Sequence, residues 1–153
     1  MPFVLDCSVT MAWIFEDEAG KNTDALRESL IGDLAFVPAL WPIEVSNVVL
    51  AATRRGRIRE DSWPQLFGSL SALPITVESG TFDVTWSAAL PLAKMHGLSV
   101  YDAVYLELSL RRQVPLATLD RKLARACRAA GGSRTAPRRW RGPRSPRTHR
   151  ACR

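Results

Sequence analysis

Short apolar runs alternate along this chain with longer segments in which apolar residues recur every three or four positions. Phe3-Val-Leu5, Leu34-Ala-Phe-Val37, Ile75-Thr-Val77 and Val114 to Thr118 are the short runs, and each predicts a buried strand. Between them, Val45, Val48, Val49 and Ala52 follow the i, i+3, i+4, i+7 spacing of one helix face. Trp63, Leu66, Phe67 and Leu70 repeat that spacing. Pro42 suits the first turn of the earlier of these helices, and Gly56 ends it. Ser8 is read as the cap of a short helix to Phe15, and Thr23 to Ile31 as a helix with Leu26 and Leu30 on one face. Phe82 to Met95 is read as helical and closed by His96-Gly97. Ser99 opens a helix to Arg112, and Asp120 opens a last one with Leu123, Cys127 and Ala130 inward. Strands separated by helices need crossover connections, so the pattern predicts an α/β fold with a mainly parallel sheet.

Composition narrows this picture. A chain of 153 residues, 46% hydrophobic and 24% charged, has room for one domain with a sizeable core. The net charge of +6 invites a nucleic-acid reading, but residues 131–153 hold eight Arg and no acid. With those eight set aside, residues 1–130 carry 13 bases against 15 acids, so the basic character belongs to the tail. That tail is rich in Arg, Pro, Gly and Ser and is read as disordered, which places the folded domain at 1–130. Cys7, Cys127 and Cys152 have no CxxC spacing, which argues against a disulfide framework or a zinc site. Asp6 interrupts the first apolar run, unlike a signal peptide, and no run approaches the ~20 residues that span a bilayer. A soluble, cytoplasmic protein without a membrane partner is expected.

Four acids carry the chemistry. Asp6 follows the first strand, Glu44 lies in the first turn of the helix after the second, Asp102 opens the helix before the fourth strand, and Asp120 lies just beyond that strand. Ligands of an open parallel sheet bind outside the carboxyl ends of its strands. The pattern puts Asp6 and Asp120 there directly; Glu44 and Asp102 reach the same edge if their helices begin there. Each acid also has a plain structural role open to it. Glu44 suits the positive end of a helix, Ser99-Val-Tyr-Asp102 has capping-box spacing, Asp120 is a good N-cap, and Asp6 can accept turn amides. Together, however, four carboxylates at one edge repel and raise each other's pKa. A divalent cation removes that cost, and hard oxygen donors suit Mg2+ or Mn2+.

Val4-Leu5-Asp6-Cys7-Ser8, Pro42-Ile-Glu44-Val-Ser-Asn47, Leu98-Ser-Val-Tyr-Asp102-Ala-Val-Tyr105 and Pro115-Leu-Ala-Thr118-Leu-Asp120 resemble, in order and spacing, the acidic motifs of PIN-domain nucleases. The nearest likeness is to the VapC-type toxins of bacterial toxin–antitoxin pairs, over roughly residues 1–131. The resemblance implies a three-layer α/β/α sandwich, one or two Mg2+ or Mn2+ ions, RNA cleavage, a protein antitoxin and a homodimer. It makes Asp6, Glu44, Asp102 and Asp120 the catalytic, metal-holding acids, with Ser8 and Thr118 as hydroxyls lining the site. The chemistry would be metal-assisted hydrolysis, with water attacking phosphorus in line. One departure stands out: Gly131-Gly-Ser-Arg-Thr-Ala-Pro137 has no apolar run where the family places a fifth edge strand, which leaves that strand doubtful. A replaced C-terminus, for example by a reading-frame change, is one hypothesis.

Two other functions compete. Asp6-Cys-Ser-Val-Thr10 loosely resembles the D-x-D-x-T motif of haloacid dehalogenase-type phosphatases, but Ser8 stands where the second Asp belongs. A non-enzymatic RNA-binding module on the same fold is the other. Arg54, Arg55, Arg57 and Arg59 cluster at a helix end, where the dipole alone favours cations; RNA contact by Arg54, Arg55 and Arg57 is the rival reading. Glu16-Asp17-Glu18 is a rival metal cluster, but three consecutive acids read as a solvated loop. His96 reads as a helix-end residue, and Cys7 as packing.

Overall fold

A computed structural model describes residues 1–15, 17–80 and 82–132. Four short strands, β1 (Phe3–Leu5), β2 (Ala35–Pro38), β3 (Ile75–Glu78) and β4 (Leu116–Ala117), form one parallel sheet in the order β3-β2-β1-β4. β1 is central, pairing Val4 with Phe36 on one side and with Leu116 on the other. Phe3, Val4 and Leu5 are all fully buried, because helices cover both faces of a parallel sheet.

The helices are α1 (Cys7–Ile14), α2 (Lys21–Ser29), α3 (Trp41–Arg54), α4 (Trp63–Ser71), α5 (Phe82–Val84), α6 (Leu90–His96), α7 (Val100–Arg112) and α8 (Arg121–Ala129). The chain moves from β1 to β2 to β3 in one direction across the sheet, then returns over β1 to β4. Right-handed crossovers therefore put α1 to α4 on one face and α5 to α7 on the other. The packing agrees: α1 meets α2 and α3, whereas α7 meets α6, α8 and the sheet. The α/β/α expectation holds.

Local differences have physical causes. Asp6, not Ser8, is the N-cap residue of α1, and the Ser8 hydroxyl is used elsewhere. The segment predicted as one helix from Phe82 to Met95 contains a π turn, Thr85–Ala89, where the Leu90 N–H donates to the Thr85 carbonyl. Pro91 follows at once, and it has no N–H for the Ser87 carbonyl, so widening the turn avoids a clash there. The fourth strand is two residues rather than five, and Ala130, though only half-buried, packs against the core as expected. Residues 133–153, which include most of the segment read as disordered and the place of the doubtful fifth strand, lie outside the described residues.

Candidate functional site

β1 delivers Asp6 to the carboxyl edge of the sheet, where its N–H donates to the Ala117 carbonyl of the neighbouring β4 (3.0 Å). Its carboxylate is buried, and one oxygen, Oδ2, accepts from the hydroxyls of Ser8 and Thr118, the latter at 2.6 Å. Those hydroxyls also accept. Ser8 Oγ receives the Leu119 N–H (3.0 Å), and Thr118 Oγ1 receives the Asp120 N–H (2.9 Å). The loops after β1 and β4 are thus tied together through Asp6.

The other three acids stand at helix starts. Glu44, in the first turn of α3, accepts from the Tyr105 hydroxyl of α7 through Oε2. Ser99 caps α7, accepting the Asp102 N–H (3.1 Å) and donating to Asp102 Oδ2 (2.7 Å). Asp120 caps α8, its Oδ1 accepting from the N–H groups of Lys122 (2.7 Å) and Leu123 (2.8 Å). The N-cap role open to Asp120 is therefore realised, whereas at α7 only the Ser99 half of the capping box forms, the Asp102 carboxylate accepting the Ser99 hydroxyl rather than its N–H.

Electrostatics link the set. Burial raises the Asp6 carboxyl to about 6; the Ser8 and Thr118 hydroxyls pull it down, and the Asp102 and Asp120 carboxylates push it further up. Tyr105 is raised well above the ordinary phenol range, chiefly by burial and then by the negative charges of Asp6 and Glu44. One buried carboxyl thus feels two neighbouring acids, and the phenol beside it feels the remaining one. The PIN domain family matches residues 3–129.

The chain belongs to the PIN-domain family. It is 35% identical over 124 residues to Ribonuclease VapC3 of Pyrobaculum aerophilum, covering 81% of this chain and 93% of that protein. It is 30% identical over 129 residues to Ribonuclease VapC1 of Mycobacterium tuberculosis, covering 79% of this chain and 90% of that one. The crystal structure of PAE2754 from Pyrobaculum aerophilum shares the fold, with a TM-score of 0.60 at 22% identity over 82% of this chain and 87% of that one. The resemblance to VapC-type PIN ribonucleases drawn from the motifs is borne out.

Within this PIN domain the other candidates fall elsewhere. Arg54 and Arg55 are exposed at the far end of α3, ten residues and about 15 Å along the axis from Glu44. The Arg57 guanidinium lies 3.7 Å from the Phe15 ring centre and pairs with Asp17 and Glu18, so it clamps the α1–α2 loop to the turn after α3. Arg59 pairs with Asp61. Cys7 packs in the core, as expected. His96 ends α6, its Nε2 buried without a hydrogen-bond partner among the described residues. Tyr105 was missed as a site residue, although it lies three residues after Asp102, one turn further along α7. No helix among the described residues is long and apolar enough to cross a membrane.

Proposed function

We propose that this PIN domain is a ribonuclease that hydrolyses RNA phosphodiester bonds with a divalent cation, Mg2+ or Mn2+, and that it acts as the toxin of a toxin–antitoxin pair. The observation that carries the reading is the buried Asp6 carboxylate at the sheet edge, held by Ser8 and Thr118 and raised to about 6 by burial and by the nearby Asp102 and Asp120, so that its charge at neutral pH carries a cost that a cation would offset. Asp6, Glu44, Asp102 and Asp120 offer only oxygen donors, which fits a hard cation. Among the described residues no three His, Cys, Asp or Glu side chains converge closely enough to hold a metal as they stand. Holding one would therefore draw on rotation of the exposed Asp120 and the half-buried Glu44 and Asp102.

A cation so held supplies Lewis acidity for in-line attack of water on phosphorus. The chain's own residues prepare the place. Ser8 and Thr118 fix the Asp6 carboxylate, while Ser99, the first turn of α8 and Tyr105 hold Asp102, Asp120 and Glu44 at their helix starts, from which rotation would turn them to the cation. The phosphatase alternative loses its footing, because the chain belongs to the PIN-domain family and Ser8 stands where that motif needs a second Asp.

The VapC relatives support a protein antitoxin as partner, and self-association goes with the same reading. The test is cleavage of labelled total RNA by the full chain with Mg2+, with EDTA, and with Asp6→Asn. Mg2+-dependent cuts abolished by the substitution are expected. RNA binding without cleavage by a folded protein, indifferent to Glu44→Gln and to chelator, would replace the enzyme with a binding module.

A further inference from the structure

α8 carries four cations and no acid in nine residues, Arg121, Lys122, Arg125 and Arg128, while Leu123, Ala124, Ala126 and Cys127 are buried. Arg121, Arg125 and Arg128 stand at i, i+4 and i+7, so they share one exposed face over about 10 Å of axis. An open cleft of about 270 Å3 runs along that face, lined by these three arginines together with Ala124, Thr118, Leu119 and Asp120. The cleft therefore begins at two residues of the acid site. On the other flank the Lys122 ammonium lies beside Gly97, two residues before the Ser99 that holds Asp102.

Two facts bear on whether this row is an ordinary solvated face. None of the ion pairs among the described residues uses Arg121, Arg125 or Arg128; Arg27, Arg54 and Arg55 are likewise outside them, but on α8 three such guanidiniums line one cleft with Asp120. Residues 133–153 contain no Asp or Glu that could neutralise the row. Helix stability does not explain it either. Arg128 suits the negative end of α8, but Arg121 and Lys122 sit in the first turn, where the dipole favours anions.

We propose that the Arg121–Arg125–Arg128 face of α8 is the track that holds the RNA backbone on one side of the cleavage site. The inference rests on the ribonuclease reading for its substrate. Three guanidiniums in line present forks suited to successive phosphates, and the cleft guides the strand toward Asp120 and Asp6. The track needs no base contact, so it positions the strand without selecting sequence.

The test compares the full chain with Arg121→Gln/Arg125→Gln/Arg128→Gln, with the matching triple Lys substitution, and with Arg54→Gln/Arg55→Gln. Binding of labelled single-stranded RNA is measured in EDTA against salt, and cleavage kinetics are measured with Mg2+. The triple Gln protein should lose about 2 from the magnitude of its log K against log salt slope, since each phosphate contact in a single strand contributes about 0.7. Its KM should rise about tenfold or more at low salt while kcat at saturating RNA stays nearly constant, and the Lys triple should recover most of the slope. Circular dichroism confirms the fold, and Arg125→Gln alone should show about a third of the slope change. An unchanged slope and KM in the folded triple would overturn the track while leaving the ribonuclease reading intact. An equal loss per charge in the Arg54/Arg55 variant would overturn it too, as unspecific attraction. A slope loss with no cleavage by the unaltered protein would support the track and sink the enzyme reading instead.

Discussion

Asp6 is a buried carboxyl whose pKa burial raises, and the direction of that shift makes a stability prediction. Unfolded, the group titrates near 3.8; folded, near 6. Between those values the folded state binds the proton more tightly, so stability from this group is greatest below pH ~4 and declines as pH rises toward 6. The two-unit gap corresponds to roughly 3 kcal/mol withheld at neutral pH. Asp6→Asn keeps an oxygen that can accept from Ser8 and Thr118 while removing the charge. In EDTA the variant should melt above the unaltered protein at pH 7, and the gap should close as pH approaches 4. A gap equal at both pH values would show that packing, not charge, decides it. Residues such as Asp6 were legible from order along the chain, because an acid directly after a buried strand has one place to go. Tyr105 was not, since its role depends on Glu44, 61 positions away in sequence.

At the scale of elements, α7 and α8 are positioned by their first turns. Ser99 holds the Asp102 N–H and carboxylate at once, so the cap of α7 also supports one of the acids proposed for the site. Ser99→Ala should cost about 1 kcal/mol in chemical denaturation, and Ser99→Thr should restore most of it. Activity should follow the same order if Asp102 works in the site. An alanine variant as stable as the parent would mean that the cap is supplied by other groups. The capping spacing of Ser99 and Asp102, and Asp120 as an N-cap, could be read directly from the sequence because caps are local. The π turn at Thr85–Ala89 could not. Its apolar spacing is that of a regular helix, and whether Pro91 kinks, ends or widens a helix depends on what the helix packs against.

At the scale of the molecule, β1 is the strand on which both the core and the site depend, since its neighbours β2 and β4 meet only through it. Leu5 is fully buried there, directly before Asp6. Leu5→Ala should lose about 2–5 kcal/mol by removing buried apolar contacts and leaving a cavity. Leu50→Ala, on the outer part of α3, should cost far less. Denaturant midpoints check both, and comparable losses would show that the core is not centred on β1.

The sequence by itself determined the periodicities, the alternation of strand and helix, the caps at Asp120 and Ser99, and the ordered acidic motifs that mark the PIN-domain family. These are local, or depend only on order along the chain, and so survive without a fold. Tertiary structure alone decided three things. It turned Ser8 from an expected helix cap into the hydroxyl that joins Asp6 to the loop after β4. It spent Arg57 on Asp17, Glu18 and Phe15, far along α3 from the acids. And it laid the arginines of α8 beside Thr118 and Asp120, a neighbourhood set by the crossover that returns β4 to the flank of β1. Each of these partnerships joins residues distant in sequence, and only the packing of the sheet and its helices brings such residues together.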